Sequence, residues 1–125
     1  MDEAGDLLSS DDVRLLVDIG FMALSHGFVA PAADIFAGIV AARPAQEAGH
    51  IGNALVLLHK GEVDAAVTIL RRLPPTDSAR LFLGLAVSRA GDVPQAREIL
   101  ADIAVVAPDT PQAASAQAML DALPG

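Results

Sequence analysis

The residues able to do chemistry are few. The 125-residue chain has three histidines, His26, His50 and His59, and no cysteine. A zinc hydrolase of the His-Glu-x-x-His kind needs two imidazoles four residues apart on one helix face. His50 and His59 are nine apart and that motif is absent. His26 and His59 each stand one or two residues before a glycine, where an imidazole N–H meets the free carbonyls at a helix C-terminus. Ser25, Ser78, Ser88 and Ser115 lack the Gly-x-Ser-x-Gly elbow of a hydrolase nucleophile. The neighbouring carboxylates Asp11/Asp12 and Glu62/Asp64 fall at expected helix starts, where capping accounts for them. The glycines are spread along the chain rather than gathered into a phosphate-cradling loop. The expectation is a protein that is not an enzyme, with no catalytic residue, no metal site and no cofactor.

Composition narrows the partners. Sixteen acidic against eight basic residues give a net charge of −8. Nucleic acid and anionic membrane both call for a positive footprint, so neither is an expected partner. Arg71-Arg72, Arg80, Arg89 and Arg97 make the second half weakly basic, which reads as a solvated face. More than half of the residues are apolar, yet no run of about 18 uncharged apolar residues occurs. Ile19 to Ala33 is interrupted by Ser25, His26, Gly27 and Pro31 and closed by Asp34. With no basic N-region leading into an apolar core, the expected location is the cytoplasm, without membrane insertion. A chain of this length buries roughly two-thirds of its unfolded surface, so the excess of apolar residues points to surface reserved for a partner.

The elements that must position these residues follow a ruler of three glycines. Gly27, Gly61 and Gly91 each open a Gly-x-Val-x-x-Ala-x-x-Ile-[Phe/Leu] segment, and they are spaced by 34 and then 30 residues. Such a period marks stacked helical hairpins. Residues 1–10 are read as an acidic mobile leader and residues 11–125 as a single domain. Ser10 or Asp11 is the expected cap of a first helix whose inner stripe is Val13, Leu16, Val17, Ile19, Gly20, Ala23 and Leu24. Gly27 stops it, Pro31 enters the next helix in its first turn, and Pro44 ends that helix. The hairpins are expected at about 12–44, 46–75 and 77–108, the third capped by Asp77 or Ser78. The second ends early at Pro74-Pro75. Thr110-Pro111 then reads as a cap and first-turn proline of a closing helix at about 111–123, with Ala114, Ala118, Met119 and Leu123 on its inner side. No strand alternation is present. The expected fold is all-α, with seven helices in an α-solenoid.

These residues resemble tetratricopeptide repeats over positions 12–109. That family's hairpin carries a large apolar residue, a Leu-Gly-like pair, then Gly, Ala, a large apolar residue and Pro at fixed offsets. The first copy has Leu16, Ile19-Gly20, Gly27, Ala32, Phe36 and Pro44; the third has Leu83-Gly84, Gly91, Ala96, Leu100 and Pro108. The second is degenerate, with Asn53-Ala54 in place of the Leu-Gly pair. Small residues at Gly20, Ala32, Gly84 and Ala96 would let helices cross closely, and Phe36, Leu70 and Leu100 would fill the gap to the next hairpin.

The resemblance implies protein binding in a groove lined by the first helix of each hairpin. Counting back three, six and ten residues from the turn glycines places Val17, Phe21, Leu24, Ile51, Leu55, Leu58, Leu81 and Leu85 there, with Ser88 the ninth position. Eight apolar residues of nine imply a groove for an apolar or amphipathic helix, or, if the array curls tightly, residues that are simply part of the core. Val17, Phe21 and Ser78 stand where tetratricopeptide domains that grip acidic chaperone tails carry polar and basic residues, so such tails are not expected. In size, acidity and lack of cysteine the chain is also similar to the small chaperones of bacterial type III secretion, the SctG and SctY class. The segment Arg14 to Phe21, Ala32 to Phe36 and Arg43-Pro44 carry that likeness. It implies a chaperone that masks a needle or other export substrate, alone or with a co-chaperone. The alternative is a generic tetratricopeptide scaffold or a homodimerisation module.

Overall fold

A computed structural model describes residues 9–125; of the acidic leader expected at 1–10, residues 1–8 lie outside the described residues. All regular structure among them is helical. The seven helices are α1 (Ser10–Ser25), α2 (Val29–Ala42), α3 (Glu47–His59), α4 (Val63–Arg72), α5 (Asp77–Arg89), α6 (Val93–Val106) and α7 (Pro111–Ala122). The described residues divide into two compact units, the first ending at Gly61 and the second running from Glu62 to Gly125. The boundary falls at the Gly61 turn, so α3 belongs to the first unit and α4 to the second.

The glycine ruler marks helix ends. Gly27, Gly61 and Gly91 take φ of 82°, 80° and 93°, the left-handed region that a side chain disfavours. At the end of α1, the Gly27 N–H donates to the Leu24 carbonyl at 3.0 Å and the Phe28 N–H to that of Ala23 at 2.8 Å, the paired bonds of a Schellman turn. Gly91 and Asp92 repeat them onto Ser88 and Val87, each at 3.0 Å. Nothing lies within 4 Å of a Cβ placed on Gly91, so Gly91→Ala tests backbone strain alone. It should lower stability by about 1–2 kcal/mol, read from the urea midpoint; an unchanged midpoint would deny that the turn needs glycine.

Two caps differ from expectation by one residue. α1 is capped by Ser9, whose Oγ accepts from the Asp12 N–H while the Asp12 carboxylate accepts from the Ser9 N–H, both at 3.1 Å. This reciprocal box needs its two side chains three residues apart, a spacing that Ser9 and Asp12 satisfy. α5 is capped by Thr76, whose Oγ1 accepts from the Ala79 N–H at 3.1 Å. Thr110 caps α7 in the same way, at 3.1 Å to the Ala113 N–H, with Pro111 in the first turn.

In the first unit, α1 packs on α2, α2 on α3, and α1 also meets α3. Phe36 on α2 is the centre of this core. It is fully buried, and it lies against two helical glycines from its neighbours. A Cβ on Gly20 of α1 would stand 2.7 Å from Phe36 Cζ, and one on Gly52 of α3 would overlap the ring itself. Val13, Leu24, Ala32, Ile39 and Val56 complete the core. Gly20 is therefore small because α1 and α2 cross closely, and Phe36 fills the space toward α3.

The second unit repeats this logic. Here α4 packs on α5, α5 on α6, α6 on α7, and α5 meets α7. Leu100 on α6 faces Gly84 on α5, where a Cβ would come 2.7 Å from Leu100 Cδ2. Leu81, Leu100, Ile103 and Ala116 form the core, with Met119 and Leu120 of the closing helix and Leu123 just past its end packed against it. The inner side of α7 is Ala113 and Ala116; Ala114 and Ala118 are exposed. Of the expected inner residues, Met119 and Leu123 pack against the core, whereas Ala113 and Ala116 are buried in place of Ala114 and Ala118.

Candidate functional site

The eight expected groove residues belong to both units, six to the first and two to the second. Leu24, Ile51, Leu58 and Leu81 are buried, with Leu24 in the first core and Leu81 in the second. Val17, Phe21 and Leu55 are half-buried and packed against the first core. Phe21 meets Phe36 in a tilted pair, with ring centroids 5.0 Å apart and planes at 57°. Leu85 is half-buried beside Ser88, Leu100, Met119 and Leu123 at a small depression of the second unit. Much of this set is occupied in holding helices together.

The accessible apolar surface of the first unit lies on another face of α1. Leu15, Ile19 and Met22 are 59%, 41% and 61% exposed, and Phe28, just past the turn, is 60% exposed. At spacings of four and three, Leu15, Ile19 and Met22 form one stripe along the helix. The inner stripe expected from periodicity included Ile19. Val13, Gly20 and Leu24 set the buried face instead, because Gly20 is the position that Phe36 presses against. Ile19 is one residue, about 100° of helix rotation, from that line, and turns outward. The sequence signal for the outer stripe is present but ambiguous: a helix with apolar residues on two faces does not declare which one is partnered.

At its C-terminal end the stripe widens into a shallow apolar depression of about 200 Å³, lined by Ile19, Met22, Ala23, His26 and Phe28. The Schellman turn positions it. By reversing the chain at Gly27, the turn brings Phe28 back beside the last turn of α1. The His26 and Phe28 rings lie 15° from parallel with centroids 6.4 Å apart. His26 is held by its Nδ1–H, which donates to the Met22 carbonyl at 3.2 Å. His59 does the same to Leu55 at 3.0 Å, and the His50 Nε2–H donates to Pro44 at 2.7 Å. All three imidazoles thus serve backbone carbonyls, those of His26 and His59 at helix ends as their positions before glycine implied.

In the second unit a wider cleft of about 840 Å³ runs between α4, α5 and α6. Arg71 donates to Gln95 Oε1 at 2.7 Å, and Arg80 pairs with Asp102 at 2.7 Å across its wall. The Asp102 side chain is 53% exposed, so the pair is worth about 0–1 kcal/mol. Val105 and Val106, at 76% and 71% exposed, end α6 nearby in sequence.

The fold and these surfaces define an all-α helical protein with exposed apolar residues along α1. Among the described residues no three histidine, aspartate or glutamate side chains are grouped as metal ligands, and no helix is long and apolar enough to cross a membrane. No family profile, no curated protein and no solved structure matches the chain.

Proposed function

We propose that this chain is a small tetratricopeptide-type binding protein that masks an apolar, amphipathic helix of a partner protein. The exposed stripe of Leu15, Ile19 and Met22 with Phe28 carries the reading. Four large apolar side chains on one helix face and its turn form a ready surface for a second helix laid alongside, the helix-on-helix mode of peptide recognition. Single exposed apolar residues are ordinary, whereas a contiguous set marks an interaction surface. The recurrent Gly20/Phe36 and Gly84/Leu100 packing and the three left-handed glycines support the tetratricopeptide assignment. The mechanism is burial without catalysis: the partner's apolar face is withheld from water until it is handed on. Acidity and an exposed apolar helix suit the cytoplasmic chaperones of type III secretion, and an export substrate is the partner class we infer.

A photo-activated crosslinking side chain in place of Leu15 tests this. It should join the chain to an apolar helical segment of another protein, identifiable by mass spectrometry. Adducts formed only between copies of the chain, with sedimentation as a dimer, would establish a homodimerisation module instead.

A further inference from the structure

The acidic residues on α1 specify what kind of helix the stripe receives. Asp11 lies four residues before Leu15, and Asp18 four before Met22, so both border the stripe. Both are exposed, and among the described residues no ion pair engages either. Asp12, whose carboxylate closes the Ser9 capping box, adds a third negative charge to the N-terminal end. Arg14, the one basic residue on α1, stands three residues after Asp11 and four before Asp18, on the same side of the helix as both, so with Asp12 the border keeps a net negative charge. At the other end the depression between Ile19, Met22, Ala23, His26 and Phe28 is apolar and open. The stripe is therefore bordered by acids from Asp11 to Asp18 and ends in an apolar socket past the last turn of α1.

We propose that the partner segment is an amphipathic helix with lysine or arginine bordering its apolar stripe, anchored by one large apolar side chain in the Phe28 socket. This rests on the docking role of the stripe. A basic residue opposite Asp11 sits about 16 Å along the helix axis from Met22, at the segment's end away from the anchor, and one opposite Asp18 sits about 6 Å from it, near the anchor. Charge complementarity at the border of an apolar contact sets partner choice and orientation more than raw affinity. A second copy of the chain fits poorly: two such stripes would bring Asp11 and Asp18 of each against acidic borders, on molecules that each carry −8.

Two synthetic helical peptides of about 18 residues test the proposal, each with the same leucine stripe and one terminal phenylalanine. One is bordered by lysine and the other by glutamate. Calorimetric titration at low salt should find the lysine peptide binding at least about tenfold tighter. Asp11→Asn and Asp18→Asn should each weaken it by about two- to fivefold, and the preference should shrink as salt is raised. Equal binding of the two peptides, abolished by Met22→Asp, would overturn the charge assignment and leave the docking surface standing. Lysine-peptide binding untouched by Met22→Asp, or no binding of either peptide, would overturn both.

Discussion

Phe36→Ala should remove about 3–5 kcal/mol of folding stability, the range for deleting a buried phenylalanine. A typical domain has only about 5–15 kcal/mol to lose. The size of the effect follows from position. The ring is fully buried, lies tilted against Phe21 at a centroid distance of 5.0 Å, and is seated against Gly20 from α1 and Gly52 from α3. Its removal leaves a void lined by two glycines, which have no side chains to relax into it. The check is the urea midpoint followed by circular dichroism. A loss below about 1 kcal/mol would mean that the three helices are not joined through this ring.

Gly52→Ala should destabilise, against the usual sign for this exchange. In a helix interior alanine is normally better than glycine by about 0.8–1.0 kcal/mol. At Gly52 the added methyl would overlap Phe36 at Cδ1, Cε1 and Cγ. Since Cγ lies on the Cβ–Cγ axis, turning the ring about that bond does not clear the clash; the whole side chain must swing out of its buried seat or the helices must separate. Overpacking of this sort costs about 1–3 kcal/mol. Gly38, exposed on α2 with nothing within 4 Å of an added Cβ, provides the contrast: Gly38→Ala should stabilise by about 0.5–1 kcal/mol. Combining Gly52→Ala with Phe36→Leu should cost less than the sum of the two, because the smaller side chain relieves the overlap. Opposite signs at two glycines of neighbouring helices separate steric from conformational causes.

These two residues also mark the limit of what periodicity reveals. Helix ends are legible locally: the Gly27, Gly61 and Gly91 turns, the Pro74-Pro75 exit and the Thr110-Pro111 start each use backbone chemistry confined to a few residues. Caps are less so, since Ser9, Ser10, Asp11 and Asp12 have nearly the same capping ability and only the three-residue spacing of the box picks Ser9 and Asp12. Which face of α1 turns inward is set by residues far along the chain. Phe36 presses on Gly20 and carries Val13 and Leu24 inside with it. Ile19 is left outside with Leu15 and Met22. The expected groove was counted from the turn glycines, a local ruler, and it reached positions such as Leu24, Ile51 and Leu58 that are buried. The outer stripe needed knowledge of α2 and α3 to become visible.

That stripe is the central claim, and Met22→Asp tests it most directly. Met22 is 61% exposed, so the substitution costs the free protein little. Burial of a methionine on binding contributes about 1.5–3 kcal/mol at most, and an aspartate held in an apolar contact adds its desolvation cost. Affinity for the crosslinked partner segment should fall at least about tenfold with the helical circular-dichroism signal unchanged. Undiminished affinity in a variant that is still fully helical would contradict the account.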